Sequence, residues 1–157
     1  MSSFNITNII VDQSNVDGTE ENDLIIGTEG QDDLDGKAGD DLIFGLADDD
    51  KITGGTGKDT LFGGDGEDEI FGNQNDDTLI GNKGDDRMFG GLGADTMVWN
   101  NGDGSDFMHG GFGDDRTQVN FDTDLVDDDL QNKDVAEFSV TDDGVQFARI
   151  EVNDQTA

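Results

Sequence analysis

Cysteine is absent from the 157-residue chain, so neither a disulfide framework nor a thiolate metal site is available to it. Proline is absent as well, which suits an unbroken ladder of strands and turns. Basic residues are scarce: 8 Lys and Arg stand against 39 Asp and Glu, for a formal charge of −31. That balance excludes a nucleic-acid partner, whose phosphates need the opposite sign, and argues against adsorption to anionic membranes. No apolar run approaches bilayer-spanning length, so membrane insertion is not expected. Met1 to Asp12 has neither a basic leader nor a long apolar stretch, and no ordinary signal peptide is expected there. His109 is the single histidine, too few nitrogen ligands for a zinc hydrolase. Ser105 lacks a histidine placed for nucleophilic work. Paired carboxylates can serve a glycosidase, but here each pair is repeated many times, which suits a lattice better than one unique active site. A chain this acidic and this poor in apolar residues would remain disordered unless something neutralises it.

What the chain does contain is periodic. Asp23, Asp32, Asp41, Asp50, Asp59, Asp68, Asp77, Asp86 and Asp95 recur every nine residues. A glycine precedes each by five, from Gly18 to Gly90, and an apolar residue follows each by two, from Ile25 to Met97. Such a short fixed period predicts a stacked repeat fold. Residues 1–17 read as a lead-in and residues 18–98 as nine continuous nonapeptides. Residues 99–118 hold a two-residue insertion, Trp99-Asn100, and two further repeats with Asp106 and Asp115 in the aspartate slot. Residues 119–157 lose the period. Within them Asp122 to Asp134 reads as an acidic linker. Glu137–Val140 and Val145–Val152 flank Asp142-Asp143-Gly144 as a capping hairpin, with Phe138 and Val140 facing Val145 and Phe147.

In a unit such as Gly63-Gly64-Asp65-Gly66-Glu67-Asp68-Glu69-Ile70-Phe71, the glycines permit a tight turn and the last three residues form a minimal strand with its middle side chain buried. One nonapeptide is then half a coil, and repeats two apart stack at about 4.8 Å. Asp68 falls over Asp86, and Asp59 over Asp77. Stacked glycine turns and aspartates offer the six to eight hard oxygens that Ca²⁺ takes, and suit the smaller, octahedral Mg²⁺ less well. Two carboxylates about 5 Å apart repel by roughly 1 kcal/mol in water and roughly 3 at an effective dielectric of 20. Repeated along the coil, that repulsion rivals a typical domain stability of about 5 to 15 kcal/mol. The roll is therefore expected to close only around cations, binding and folding together.

The units Gly54-Gly55-Thr56-Gly57-Lys58-Asp59-Thr60-Leu61-Phe62 and Gly90-Gly91-Leu92-Gly93-Ala94-Asp95-Thr96-Met97-Val98 resemble the RTX family of hemolysin-type calcium-binding repeats at each defined position. The resemblance spans residues 18–118. It implies an all-β parallel β-roll of about eleven repeats, several Ca²⁺ ions (up to about nine) in the turns, and secretion to the cell exterior by a type I system. It also implies the ligands: the aspartates at 23, 32, 41, 50, 59, 68, 77, 86, 95, 106 and 115. With them come turn carbonyls of Gly36, Gly39, Gly54, Gly55, Gly57, Gly63, Gly64, Gly66, Gly72, Gly81, Gly84, Gly90, Gly91, Gly93, Gly110, Gly111 and Gly113. The function so implied is calcium binding coupled to folding in a structural, adhesive or interaction module, not an enzyme. The alternative is the secretion-and-folding module of an RTX enzyme such as a protease, lipase or epimerase.

Several units depart from the pattern. Glu21, Asp48 and Asn75 replace the second turn glycine, and Leu46 replaces a glycine or asparagine. Asn75 is expected to tolerate the turn, whereas the unit Gly45 to Thr53 is the weakest interior candidate. Gly18 to Ile26 is atypical, as terminal repeats are. Trp99-Asn100 is expected to bulge outward or to shift the last two turns, which would disturb sites at Asp106 and Asp115.

The two faces also differ. One sheet is expected to show Leu24, Ile26, Leu42, Phe44, Phe62, Ile80 and Val98 beside Thr60, Thr78 and Thr96, an apolar strip of the kind that marks a contact. Three occupants are open: the lead-in or tail folding back, a homodimer or docked module, or an ice or other surface. The other sheet is expected to alternate Asp33, Lys51, Glu69 and Arg87, a favourable cross-strand ladder. His109 falls in the slot of Phe71 and Phe89 and is expected to be exposed.

Overall fold

The aliphatic residue two places after each aspartate is flanked by outward neighbours, so each repeat carries one inward side chain on a short strand. The computed structural model describes residues 6–11, 14–100, 104–120, 135–139 and 148–151, and among these there is no helix. In chain order the strands begin β1 (Asn8–Val11), β2 (Asn15–Asp17), β3 (Asp23–Ile26), β4 (Asp33–Ala38) and β5 (Leu42–Ala47). There follow β6 (Lys51–Thr56), β7 (Thr60–Asp65), β8 (Glu69–Gln74), β9 (Thr78–Lys83) and β10 (Arg87–Leu92). The last are β11 (Thr96–Asn100), β12 (Phe107–Phe112), β13 (Arg116–Asn120), β14 (Val135–Ser139) and β15 (Ala148–Glu151).

Odd strands β1 to β13 form one parallel sheet in sequence order. Even strands β2 to β14 form the other, with β15 antiparallel on β14 at its end. The register steps by one coil: Ile43 pairs with Leu61 and Ile52 with Ile70. This is the expected parallel β-solenoid.

The core is a single file of side chains between the sheets. Ile25, Ile43, Leu61, Leu79 and Met97 line one side, and Leu34, Ile52, Ile70, Met88 and Met108 the other; all are buried. Each such side chain stabilises the fold by about 1.5–3 kcal/mol, but one per nonapeptide is a thin core. The coils are braced outside by lysines reaching across one turn: Lys83 to Asp65 at 2.9 Å, Lys58 to Asp76 at 2.6 Å and Lys51 to Asp33 at 3.5 Å.

Several expectations need correction. The described part of the lead-in does not fold over the apolar face: β1 and β2 extend the two sheets by pairing with β3 and β4. Trp99-Asn100 does not bulge outward. Both residues continue β11, and Trp99 is 1% exposed, its indole N–H donating to the Gly104 carbonyl at 2.9 Å. Indole fills the place of a repeat glycine, and the stack recovers beyond it, with Arg87 opposite Phe107 and Thr96 opposite Arg116. In the hairpin Phe138 lies opposite Ala148; Val140, Val145 and Phe147 lie outside the described residues. The Asp142-Asp143-Gly144 turn and the acidic linker lie outside the described residues. His109 is half-buried, edge-on to Phe89 with ring centroids 6.3 Å apart.

Candidate metal centre

Each turn delivers an aspartate to the inside of the coil edge, just before the strand whose next inward residue joins the core. Asp23, Asp32, Asp41, Asp50, Asp59, Asp68, Asp77, Asp86, Asp95 and Asp106 are all at most 3% exposed, and Asp115 is half-buried. They fall into two columns, one on each edge of the roll. Within a column, the backbone N–H of one aspartate donates to Oδ1 of the aspartate one coil later. Asp23 donates to Asp41 at 2.8 Å, Asp41 to Asp59, Asp59 to Asp77 and Asp77 to Asp95 each at 2.9 Å. On the other edge Asp32 donates to Asp50 at 2.8 Å, and Asp50 to Asp68 and Asp68 to Asp86 at 2.9 Å.

The column survives the insertion. Asp86 donates to Asp106 at 3.1 Å and Asp95 to Asp115 at 3.0 Å, across 20 residues instead of 18. The expected disturbance of Asp106 and Asp115 is therefore not found in this ladder. Nor is the unit Gly45 to Thr53 broken. Leu46 and Asp48 adopt left-handed φ of 95° and 70°, and Asn75 one of 77°. Asp50 keeps its place in the column.

The second oxygen of these carboxylates is the informative one. Oδ2 of Asp41, Asp50, Asp59, Asp68, Asp77, Asp95 and Asp115 is buried and receives no hydrogen bond. A buried charged acceptor left without a donor is costly and rare. Around it the surroundings are oxygen. A Cβ on Gly36 would overlap Oδ2 of Asp41 and lie 2.7 Å from the Gly54 carbonyl oxygen. Gly63 stands in the same relation to Asp68 and the Gly81 carbonyl, and Gly72 to Asp77 and the Gly90 carbonyl, again at 2.7 Å. Gly45 faces Asp50 and the Gly63 carbonyl, and Gly90 faces Asp95 and the Gly110 carbonyl. Each cradle is open because glycine has no side chain to fill it.

The remaining turn carbonyls point along the stack. Those of Gly39, Gly66, Gly84, Gly91 and Gly93 each face the matching glycine one coil later: Gly57, Gly84, Gly104, Gly111 and Gly113. The carbonyls of Lys37 and Leu46 do the same toward Gly55 and Gly64. So do those of Asp48, Asn73 and Asn75 toward Gly66, Gly91 and Gly93. Sequence reading assigned glycine carbonyls and missed these five because a carbonyl belongs to the slot, not to the residue type.

Charge accumulates accordingly. Burial raises Asp77 from 3.8 to about 8; the Asp59 N–H opposes it, and the carboxylates of Asp59, Asp95 and Asp76 add to it. Asp41 and Asp50 rise to about 7, and Asp59, Asp68 and Asp95 to about 6, burial leading in each case. A cation on Oδ2 would reverse that penalty.

A second ladder, not read from the sequence, runs the opposite way on the residue before each slot aspartate. Oδ1 of Asp40, Asp49, Asp76 and Asp85 accepts the backbone N–H of Lys58, Glu67, Ala94 and Ser105 one coil later, at 2.9 to 3.1 Å. Asn22 does the same for Asp40 at 2.8 Å. These outer carboxylates fasten the turn, whereas the inner ones keep an oxygen for something else.

An all-oxygen cradle with repeated carboxylates and no nitrogen or sulfur fits Ca²⁺. The residues that would hold it are Asp41, Asp59, Asp77, Asp95 and Asp115 on one edge and Asp50, Asp68, Asp86 and Asp106 on the other, with the facing carbonyls. The ion would supply the positive charge that the buried carboxylates lack. Asp23 and Asp32 differ. Their Oδ2 atoms accept the backbone N–H of Thr19 and Thr28, both at 2.6 Å.

A family model, the RTX calcium-binding nonapeptide repeat, matches residues 15–43, 35–70, 44–79, 62–97 and 102–117. The match breaks where Trp99 and Asn100 interrupt the period. No curated protein matches the chain. The repeats, their stacking and the glycine-aspartate cradles thus place the chain in the family of RTX calcium-binding nonapeptide repeats, which implies that it binds calcium.

Proposed function

We propose that calcium binding and folding are a single event in this roll, which works outside the cell as a structural, adhesive or interaction module. The observation that carries the reading is Oδ2 of Asp77, buried and without a donor beside the Gly90 carbonyl, repeated coil after coil. A column of such groups repels itself by roughly 1 to 3 kcal/mol per pair, against a core only one side chain wide. Ions of millimolar extracellular calcium would tip that balance, with affinities of about 10⁻⁴ to 10⁻³ M. Sharing of carboxylates between neighbouring coils would make the binding cooperative. Type I secretion of an unfolded chain, followed by folding outside, agrees with such a switch. The repetition of one carboxylate geometry supports a binding lattice without catalysis.

Calcium titration followed by circular dichroism and by Trp99 fluorescence tests it. Coil in chelator and sheet in calcium is the expected result. Full sheet content in excess chelator at neutral pH and low salt overturns the coupling.

A contact role for the odd-strand sheet is supported by one observation. Phe44 and Phe62 stack on its outer face with ring centroids 4.7 Å apart and stay half-buried, in line with Ile26, Ile80 and Val98. We propose that this strip takes a second copy or a neighbouring module. Light scattering in calcium tests the homodimer: a strict monomer, unchanged by Phe44→Glu, refutes it. If the roll instead serves an RTX enzyme as its secretion-and-folding module, a catalytic domain adjoins it in the complete gene product.

A further inference from the structure

Thr19 and Thr28 occupy the turn position that carries Gly55, Gly64, Gly91 or Gly111 in regular repeats, and Asn73 or Asn82 in others. Those glycines and asparagines are left-handed, with φ between 73° and 136°. Lys37 and Leu46, at the same position, are left-handed as well. The two threonines are not. Two heavy atoms on Cβ make left-handed φ strained for threonine. Its peptide therefore presents the N–H, rather than an open space, to the slot carboxylate.

The consequences are visible at both aspartates. At Asp23 the Thr19 N–H reaches Oδ2 at 2.6 Å, and the Thr19 hydroxyl lies 3.1 Å from both oxygens with one proton to give. Asn8 on β1 donates its side-chain N–H to Oδ1 at 2.7 Å. At Asp32 the Thr28 N–H reaches Oδ2 at 2.6 Å and the Thr28 hydroxyl reaches Oδ1 at 3.0 Å. In the regular repeats the corresponding Oδ2 of Asp41, Asp50, Asp59, Asp68, Asp77 and Asp95 has no donor. An N–H aimed at a carboxylate oxygen puts positive dipole where a cation would otherwise sit.

We infer that the calcium ladder opens at Asp41 on one edge and at Asp50 on the other, and that the coil carrying Asp23 and Asp32 is an ion-free cap. In it threonine and asparagine donors replace the metal. The inference rests on the calcium reading above but concerns which cradles the ion enters. It withdraws Asp23 and Asp32 from the ligand set expected from the sequence, because their free oxygens are already taken. It also supplies a built end: a coil that closes without calcium offers β3 and β4 as a template for the coils that need it.

The test counts ions. The full chain is equilibrated by dialysis in saturating calcium, and bound metal per chain is measured by elemental analysis, with circular dichroism as the check on folding. The double variant D23N/D32N is expected to hold as many ions as the parent. D59N/D68N is expected to hold fewer. T19G/T28G, and T19N/T28N with the asparagine this chain itself uses at Asn73 and Asn82, should each gain up to two ions, since the peptide is then free to turn its N–H away. Loss of ions in D23N/D32N, or no gain in either threonine pair, overturns the inference. If the parent chain binds no calcium, the functional reading fails with it. If the parent binds while D23N/D32N loses ions, only the inference fails.

Discussion

The backbone N–H of Asp59 donates to Oδ1 of Asp77 one coil further on, at 2.9 Å, while Oδ2 of Asp77 receives no donor. One carboxylate thus closes the stack with Oδ1 and, on the proposed reading, keeps Oδ2 for an ion. Asp77→Asn keeps an acceptor for the Asp59 N–H and removes the charge. Asp77→Ala removes both, leaving a buried N–H unpaired at about 1–3 kcal/mol. In calcium titrations by circular dichroism, both variants should need more calcium than the parent, alanine by the larger factor. In chelator the order reverses against the parent for asparagine: it should show more residual sheet, since one buried charge is gone.

Protons should substitute for calcium. The folded, metal-free values of Asp41 and Asp50 lie at about 7, and that of Asp77 at about 8, all raised from 3.8. A carboxylate whose folded value is raised binds protons more tightly folded than unfolded, so stability falls as pH rises. The contribution is complete below the unfolded value of 3.8 and is lost as pH climbs through about 6 to 8. Without calcium, sheet content should therefore be greatest near pH 4 and fade by pH 8. The calcium midpoint should move the other way, with higher concentrations needed as pH drops through the same window. A metal-free chain with no more sheet at pH 4 than at pH 8 contradicts this.

Much of this architecture was legible in the sequence because period, charge and glycine spacing all express one constraint, a coil of two nonapeptides. The stacking of Asp59 on Asp77 and the column of Leu42, Thr60 and Thr78 follow from counting. What counting could not give is direction. Whether Oδ1 turns to a neighbouring N–H depends on peptide orientation, and sequence reading saw only charges facing charges. Peptide orientation also decides Asp23 and Asp32, although Thr19 and Thr28 were a usable signal: a β-branched residue in a slot that demands positive φ. Trp99 misled for a related reason. Two inserted residues suggest a bulge or a shifted turn, but the inside of the coil has room for the indole where the coil lengthens to 20 residues.

Glycine positions should be unequal. Gly57 has φ +131°, and a Cβ there would overlap the Gly39 carbonyl, whereas a Cβ on Gly30 would meet nothing within 4 Å. Gly57→Ala should cost upwards of about 2 kcal/mol, from strain and a blocked stack. Gly30→Ala should stay within about 0.5 kcal/mol of the parent. Thermal unfolding in saturating calcium separates them, and equal losses would contradict the tight coil spacing.

Trp99 should report and support the fold at once. It is 1% exposed, packed into the file of core side chains beside Met97 and anchored to the Gly104 carbonyl. Trp99→Ala leaves a large cavity and should cost about 3–5 kcal/mol. In the parent, emission should shift to the blue as calcium is added, at the same midpoint as sheet formation. A midpoint that lags the dichroism would mean that the coil around Trp99 closes separately from the rest.

Asp49, Glu67 and Asp68 provide the sharpest test of which carboxylates matter. Asp68 is 1% exposed with a donorless Oδ2, Glu67 points to solvent, and Asp49 accepts the Glu67 N–H at 2.9 Å from an exposed position. All three carry the same formal charge on adjacent coils of one edge, so a purely diffuse electrostatic effect would treat them alike. The cradle geometry does not. Asp68→Ala should raise the calcium midpoint most. Glu67→Ala should leave it within about twofold, the range of an ordinary surface change, or lower it slightly by relieving repulsion. Asp49→Ala should weaken the roll modestly by freeing the Glu67 N–H to water, with no loss in the number of ions bound. Equal midpoints for the variants at positions 67 and 68 would mean that calcium is held by the overall charge of the edge and not by the slot aspartates.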